Sequence, residues 1–534
     1  MNGSKSRRGS AGAAGSSRLS AKGDRVRRPS SGLFVIGGVT LINLLIAGVS
    51  FLKDLSFAAY FGTSSAADVV NTAYLLPETL GYNLIAAVIA VATVPSFTRL
   101  WTGGNVEGFR TMVKRLALHT ALAMAAIGCV LLLLRPVIAP LFGYSPADPA
   151  LPVFKPLYAL LLITLPLFPL YATFAGALQA SGAFYAAAIG PLLLNAFMLV
   201  AVIASLAFGL APASGAYVFA GSIAAGTAAM AALTAIAIRR KLAPSRSGNM
   251  RTNSSKLAAA VLSLEAGGLP VQGAMSPAVW QESTDEGRPE RAAHSGRAEW
   301  EARAATPGRK AAESARDESM RGIYRLFVPF FLLTLCTQVV YALERVMASQ
   351  LHTGTITALT YAYRIAQFPN WVFVAAVTAV LLPSLSRVSH TREERRQQIL
   401  RAIKGTLMLL LPVALVLFLC RRPIIALLLG RGAFDAAAVE QTAELLAGYA
   451  LSVPGLAISA IGVRYYLAVG RVYKPAAIYA LAAGGNLLFD YLLLDQLGAS
   501  ALGYGACAGW TLNAVLMIWL ISRESDSTRR EPAC

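Results

Sequence analysis

Charged side chains are scarce in this sequence of 534 residues. They make up 14% of the chain, whereas soluble proteins carry about 25%, and 56% of the residues are hydrophobic. The charges are concentrated in a few segments, and between them lie long apolar runs such as 116–134 and 157–171. Apolar segments of about 20 residues are long enough to cross a bilayer as helices. The composition therefore excludes an ordinary soluble domain and predicts an all-α polytopic membrane protein.

Residues that bind metals or form disulfides are also few. The five cysteines include no CxxC pair, and four of them lie within apolar runs, so we interpret them as buried structural thiols. The four histidines show neither zinc-site spacing nor an HExxH motif, and the sequence contains no GxxxxGK[ST] nucleotide-binding loop. No nucleophile–base pair stands out. The sequence therefore predicts no metal, no cofactor and no enzymatic activity.

The formal net charge of +20 raises the question of nucleic acid as a partner. The positive residues lie in the N-terminal tail and in loops between apolar runs, as expected for segments retained in the cytoplasm. No basic face with interleaved aromatic residues appears, so we predict that the protein binds no nucleic acid.

The apolar runs predict twelve transmembrane helices. Basic residues are concentrated in the even-numbered loops, so the positive-inside rule predicts that both termini are cytoplasmic. The predicted spans are 33–52, 70–98, 113–134, 153–178, 183–208, 214–238, 322–350, 356–386, 400–420, 440–468, 473–493 and 499–521.

A polar segment divides the twelve spans into two sets of six. Residues 242–320 are rich in Ala, Ser, Gly, Arg and Glu and show no apolar period, which is typical of a disordered linker. We predict a disordered basic tail (1–30), an N-terminal six-helix lobe (31–241), the cytoplasmic linker (242–320), a C-terminal six-helix lobe (321–522) and a cytoplasmic C-terminal tail (523–534).

The two predicted lobes share short sequences. RPVIAPLFG at 135–143 returns as RPIIALLLG at 422–430, and VPSFTR at 94–99 returns as LPSLSR at 382–387, at nearly the same separation. One separation for both pairs indicates a duplicated unit of about half the chain. Since each unit has an even number of spans, both enter the membrane from the same side, and we expect parallel repeats around a central cavity.

Polar residues inside the spans fall mainly on the first two helices of each lobe. A charge in a span costs about 2.5–3.5 kcal/mol on insertion scales, so it usually faces protein or water. Two alternatives stay open: the charged pairs near helix ends reach the membrane interface, or Arg364 forms a structural ion pair. The candidate substrate-binding residues are Lys53, Asp54, Asp68, Glu344, Arg345, Arg364 and Gln367, and the candidate ion-coupling residues are Asp68 and Glu78.

Three stretches resemble the MurJ/MviN-type lipid II flippases. They are KDLSFAAYFGTSSAADVVNTAYLLPE (53–78), ERVMASQLHTGTITALTYAYRIAQFPNWVFVAAVTAVLLPSLSR (344–387) and LLLGRGAFD (427–435). The resemblance implies that Lys53, Asp54, Asp68, Glu344 and Arg364 occupy cavity positions. This sequence departs from the family at Ala47 and Gly81, where basic residues are usual, and at Gln367, where an acidic residue is usual. It also lacks two C-terminal spans that are common in the family.

The expected function is therefore transport of a polyprenyl-pyrophosphate-linked saccharide, with the peptidoglycan precursor lipid II first among the substrates, across the bacterial cytoplasmic membrane by alternating access. The expected partners are that lipid, the membrane lipids and the cell-wall synthesis machinery. The alternatives are a flippase for another polysaccharide lipid, a cation-coupled multidrug extruder of the same superfamily, or a scaffold for cell-wall enzymes.

Overall fold

The computed structural model describes residues 30–243, 309–385, 392–468 and 473–523. These residues form helices joined by short turns, and no strand occurs among them. The first half contains α1 (Ser30–Phe61), α2 (Ser65–Leu76), a π-helical segment (Pro77–Ala86), α3 (Ala87–Thr102), α4 (Val106–Leu133), α5 (Arg135–Leu141), α6 (Leu151–Leu162), α7 (Leu167–Ala180), α8 (Phe184–Ala188), α9 (Gly190–Ala207) and α10 (Pro212–Leu242). The second half contains α11 (Arg309–Ser349), α12 (Thr355–Leu385), α13 (Arg392–Leu419), α14 (Arg421–Leu429), α15 (Ala436–Ala468), α16 (Tyr473–Leu497) and α17 (Ser500–Arg523).

The helices confirm the prediction of an all-α polytopic membrane protein. Eleven spans among the described residues are long and apolar enough to cross a membrane, and they correspond to eleven of the twelve predicted spans. The remaining predicted span, 356–386, is covered by the 31 residues of α12. Large apolar side chains such as Leu133, Phe208 and Tyr491 lie exposed on the outside of the bundle, where lipid would surround them.

The first helix continues beyond its predicted end at residue 52 and reaches Phe61. The charged residues Lys53 and Asp54 suggest a helix end in the sequence, but in the structure they pair with each other inside the bundle. A charge that is neutralised by a buried partner does not need to reach the membrane surface, and so the helix is not interrupted there.

Small residues allow the helices of the second half to pack closely. A Cβ atom added to Gly448 of α15 would collide with the backbone of Gly503 in α17, and one added to Gly455 would lie 2.7 Å from the carbonyl oxygen of Trp510. Apolar side chains gain little by leaving lipid for another apolar surface, so close backbone approach supplies much of the packing between membrane helices.

The repeated sequence RP-I-A-L-G lies at corresponding places in the two halves. The first copy forms α5 directly after the long helix α4, and the second forms α14 directly after the long helix α13. The copy of VPSFTR at 382–387 extends beyond the end of α12 and lies only in part within the described residues. The superposition of two parallel six-helix lobes stays a prediction.

The boundaries of the predicted linker differ from the helices found. Helix α10 ends at Leu242, and α11 begins at Arg309, so that 309–320 are helical although the sequence assigns them to the linker. The rest of the predicted linker, the N-terminal tail and most of the C-terminal tail lie outside the described residues.

The two halves meet at the end of the bundle where α1 ends and α12 begins, which we call the junction end. There the Ala433 amide donates a hydrogen bond to the Ala59 carbonyl oxygen at 2.8 Å. Gly62 (φ 58°) and Gly432 (φ 63°) adopt left-handed conformations, and a Cβ on either would collide with the backbone of the opposite half. Glycine is required at both positions because it alone combines this conformation with so close an approach.

Candidate functional site

Two adjoining cavities lie along the helices that carry the predicted site residues. The larger has a volume of about 320 Å³ and is lined mainly by α11, α12 and α15–α17, with Glu78 and Asn83 from the first half. The smaller, of about 30 Å³, lies between α1, α2, α11 and α12. Glu78, Tyr341 and Arg364 line both cavities, so a ligand in one would touch residues that also face the other.

A carboxylate held by two cations links the two halves at the smaller cavity. Lys53 is only 4% exposed, and its Nζ lies 2.8 Å from Asp54 Oδ1. The same oxygen accepts a hydrogen bond from Arg364 Nη1 of α12. The partner of Arg364 is thus a residue of the first half, and charge-assisted bonds of this kind are among the stronger polar contacts.

Arg345 adds a third cation to the smaller cavity. Its guanidinium lies over the ring of Tyr341 at 3.2 Å, and its Nη1 donates a hydrogen bond of 2.8 Å to the Tyr341 carbonyl oxygen. Its Nη2 is buried without a hydrogen-bond partner in the described part of the chain. The structure therefore gathers five of the predicted residues around this cavity, and we call them the charge cluster. They are Lys53, Asp54, Glu78, Arg345 and Arg364.

Glu78 lies in the π-helical segment that follows α2. The segment begins at Pro77, whose ring has no amide hydrogen to donate, and π-helical turns occur frequently at functional sites. Among the described residues Glu78 forms no hydrogen bond and no ion pair, although it lines both cavities. Its carboxylate is available to a ligand or a cation.

Asp68 lies apart from the charge cluster, at the junction end. One of its oxygens accepts a hydrogen bond from the Gly354 amide at 2.5 Å, and the other accepts bonds from the amide and hydroxyl of Thr357 at 3.0 and 2.7 Å. The Asn71 amide donates to the same Thr357 hydroxyl at 3.0 Å. Asp68 thus caps the N-terminus of α12 from the opposite half, where both the free amides and the helix dipole favour a negative charge.

Glu344 and Gln367 line the larger cavity. The Glu344 carboxylate accepts hydrogen bonds from the Tyr449 hydroxyl at 2.7 Å and from the Asn486 amide at 3.2 Å. Glu344 and Arg345, although adjacent in sequence, therefore serve different cavities. Of the seven predicted substrate-binding residues, the structure brings six to the two cavities and places Asp68 elsewhere.

Asp490 is a buried carboxylate that the sequence reasoning did not assign to the site. It is fully buried in α16, and neither of its oxygens has a hydrogen-bond partner within the ranges described. Gly505 of α17 makes room for it, because a Cβ there would collide with Asp490 and lie 2.8 Å from Asn486 Oδ1. Asn486 also donates a hydrogen bond to Glu344 at 3.2 Å, so the two carboxylates lie near each other, and carboxylate oxygens are suitable ligands for a hard cation.

The position of a missing family arginine is filled by an aromatic ring. Gly81 is buried, and a Cβ added to it would lie 2.6 Å from the ring of Phe168 and 3.4 Å from Leu165. An arginine at residue 81 would have to displace Phe168 of α7. Among the residues that the structure describes, Lys53 is the cation that the first half contributes to the smaller cavity.

Comparisons with known proteins agree with the resemblance seen in the sequence. The family model described as lipid II flippase MurJ matches residues 57–267 and 303–531. The probable lipid II flippases MurJ of Rhizobium tropici and Rhizobium meliloti (strain 1021) are 26% and 27% identical to this chain over 498 and 494 residues. These alignments cover 91% and 90% of this chain and 80% and 78% of the relatives.

Solved structures show the same fold at low sequence identity. A lipid II flippase MurJ in an inward closed conformation matches with a TM-score of 0.65 and 16% identity, covering 91% of this chain and 87% of that one. An inward-facing multidrug resistance transporter of the MATE family and the MOP superfamily matches with a TM-score of 0.62 and 15% identity, covering 91% and 96%. Because the family model spans most of both halves, this chain belongs to the lipid II flippase MurJ family.

Proposed function

We propose that this protein carries lipid II, a polyprenyl-diphosphate-linked saccharide, across the bacterial cytoplasmic membrane by alternating access and without a covalent step. The observation that supports this most strongly is the charge cluster at the contact between the two halves. A diphosphate favours fixed cations, and the planar guanidinium offers it two parallel hydrogen bonds. Arg364, Arg345 and Lys53 line the smaller cavity, and Arg364 also lines the larger one, where a head group has more room.

In this proposal Asp54 occupies the position that the diphosphate of the substrate takes when it binds. It neutralises Lys53 and Arg364 when the site is empty, and it joins α1 to α12. An arriving diphosphate replaces Asp54 as the partner of Arg364, which removes a link between the two halves. A ligand shifts a conformational equilibrium only through its different affinity for the two states, and this exchange of partners supplies such a difference.

The orientation in the membrane follows from the basic loops. If both termini are cytoplasmic, the junction end faces the outside of the cell. The backbone contacts of Gly62 and Gly432 and the cap made by Asp68 then close the outer end of the bundle, and outward release of the head group requires them to separate. We therefore assign Asp68 to closure of the junction end.

A coupling ion has two candidate carriers in this proposal. Glu78 faces both cavities without a partner among the described residues, and Asp490 is buried with both oxygens unpaired there. Asp68, the other residue expected to couple an ion, has both oxygens engaged by hydrogen bonds to α12 and its preceding turn. Contacts with cell-wall synthesis enzymes stay a prediction.

The alternatives differ in what they transport. A cation-coupled multidrug extruder of the same fold would use Glu78 or Asp490 and would not require the arginines for its cargo. A scaffold for cell-wall enzymes would keep its role after the charge cluster is removed. The family model favours lipid II over both, and also over another polysaccharide lipid.

The test is lipid II transport by purified protein in liposomes. We expect Arg364→Ala to lower the rate by about 100-fold, because it removes a charge-assisted contact worth about 3 kcal/mol. Arg364→Lys should recover part of the loss, since the ammonium keeps the charge but not the two parallel hydrogen bonds.

The matched control is Arg422→Ala, since Arg422 is paired with Glu440 on the exposed surface, with 65% of its side chain accessible. This variant should transport normally because exposed ion pairs contribute little. If Arg364→Ala protein with normal thermal stability transports at the wild-type rate, the charge cluster is not the diphosphate site.

A further inference from the structure

Aromatic rings form much of the wall of the larger cavity. Tyr341 and Tyr363 lie with ring centroids 5.6 Å apart, and Tyr363 and Tyr449 follow at 5.7 Å with planes at 80°. On the facing helices Tyr479 and Trp510 lie at 5.8 Å with planes at 83°. Edge-to-face packing is a favoured arrangement of aromatic rings, so these pairs stabilise the cavity walls.

The same cavity contains side-chain amide atoms that have no hydrogen-bond partner among the described residues. Asn370 is 5% exposed, and neither atom of its amide forms a hydrogen bond in the part of the chain that is described. Asn513 is 1% exposed and its Oδ1 is unpaired there, as is Oε1 of Gln338. Buried polar groups are nearly always hydrogen-bonded, so a polar ligand in this cavity would find donors and acceptors on these three amides that the described residues leave unused.

We propose that this cavity is the saccharide subsite: it binds a pyranose ring of the transported head group through the Asn370, Asn513 and Gln338 amides and the Tyr479 and Trp510 rings. This inference rests on the proposed function. The C–H faces of a pyranose suit the electron-rich faces of aromatic rings, and its hydroxyl groups both donate and accept hydrogen bonds, as an amide requires. A volume of about 320 Å³ lies within the range of small-ligand pockets, about 300–1,000 Å³.

Arg364 connects the two proposed parts of the site. It is the proposed partner of the diphosphate, and with Tyr341 it lines the larger cavity as well as the smaller one. The sugar attached to the diphosphate would therefore enter the larger cavity directly. In this proposal the charge cluster binds the diphosphate, and the neutral amides and aromatic rings bind the saccharide.

The experiment compares two lipids on the purified full chain in nanodiscs. One probe is a polyprenyl diphosphate bearing the disaccharide, and the other is the bare polyprenyl diphosphate. We expect Asn370→Ala and Trp510→Leu each to weaken binding of the saccharide-bearing lipid by about tenfold, the effect of one or two lost hydrogen bonds or of a ring contact. Binding of the bare lipid should stay within about twofold, because the charge cluster is intact.

The controls separate this inference from folding and from the proposed function. Trp519→Ala removes an aromatic side chain from the outer surface of the same helix, α17, and should change neither affinity. If the melting temperature of Asn370→Ala or Trp510→Leu falls, Asn513→Ala is tested in place of that variant. Equal losses for both lipids, or an unchanged preference for the saccharide, would overturn the subsite. A wild-type protein that binds neither lipid would instead overturn the proposed function, and the subsite with it.

Discussion

Asp54 pairs with two cations and connects the two halves of the molecule. Its carboxylate contacts Lys53 at 2.8 Å and Arg364 of the opposite half. In the proposed function Asp54 competes with the diphosphate for Arg364. It also gives a partner of opposite charge to the buried Lys53 and the half-buried Arg364. Lys53 and Arg364 therefore each have a carboxylate partner within the protein itself.

We predict that Asp54→Asn strengthens binding of bare polyprenyl diphosphate by about tenfold while it slows transport, because the competitor is lost together with the link between α1 and α12. Binding by native mass spectrometry and transport in liposomes provide the two measurements. Glu440→Gln is the control, since it removes a carboxylate from an exposed ion pair with Arg422. Binding that is unchanged or weaker in Asp54→Asn would contradict the role of Asp54 as a stand-in for phosphate.

Residue-level reasoning from sequence identified the charge cluster but not the Asp490 site. Lys53, Asp54, Arg345 and Arg364 stand out because a charge in an apolar run is rare, and the resemblance covers most of them. Asp490 lies near the predicted end of a span, where a charge is unremarkable. The spacing of four residues between Asn486 and Asp490 could have identified this pair in the sequence, because it places both side chains on one helix face. In the structure that face lies against Gly505.

At the scale of helices, α12 begins where the first half supplies its cap. Asp68 accepts hydrogen bonds from Gly354 and Thr357, and so the end of one helix is completed by the other half of the chain. The apolar pattern places Asp68 just before the predicted span 70–98, but it cannot show that this carboxylate caps a helix of the opposite half. Its expected place among the cavity residues therefore stays a prediction, and the structure favours a role in closure.

Asp68→Asn should weaken the junction end by about 2 kcal/mol, because the charge that complements the helix dipole is lost and the amide NH₂ cannot accept the backbone hydrogen bond of the oxygen it replaces. We expect a larger population with the junction end open, measured as the distance distribution between spin labels at Ser145 and Ala437, which are both exposed. Asp148→Asn is the matched control, since Asp148 caps only its own turn through the Ala150 amide at 2.7 Å. Identical distance distributions in the wild type and Asp68→Asn would remove Asp68 from the junction.

A second prediction concerns the backbone contact at Gly432. Gly432→Ala introduces a Cβ against the Ala59 carbonyl group in a left-handed conformation, and should open the junction end and lower transport. Gly104→Ala separates backbone strain from the clash with the opposite half. Gly104 has φ 74°, but no atom lies within 4 Å of a Cβ added there. Each variant pays the conformational cost of about 1 kcal/mol, but only Gly432→Ala should change the spin-label distances. Equal effects of the two variants would show that strain alone is responsible.

On the scale of the whole molecule, composition and repeats predicted more than individual residues did. The apolar runs predicted the helices, because a backbone inside the hydrocarbon of a membrane must form its hydrogen bonds internally, as a helix does. The place of RPVIAPLFG and RPIIALLLG in α5 and α14 also follows from the repeat. The contacts between the two halves could not be predicted from the sequence. The pairing of Asp54 with Arg364 and the hydrogen bond between Ala59 and Ala433 join residues more than 300 positions apart, and no local pattern links such positions.

The most direct test of the central claim is the location of lipid-linked precursor in cells depleted of this protein. The account predicts that lipid II accumulates on the cytoplasmic leaflet, and that wild-type protein restores its export while Arg364→Ala protein at the same membrane level does not. Depleted cells that export lipid II normally, and that become sensitive to drugs instead, would contradict the account and favour the multidrug extruder.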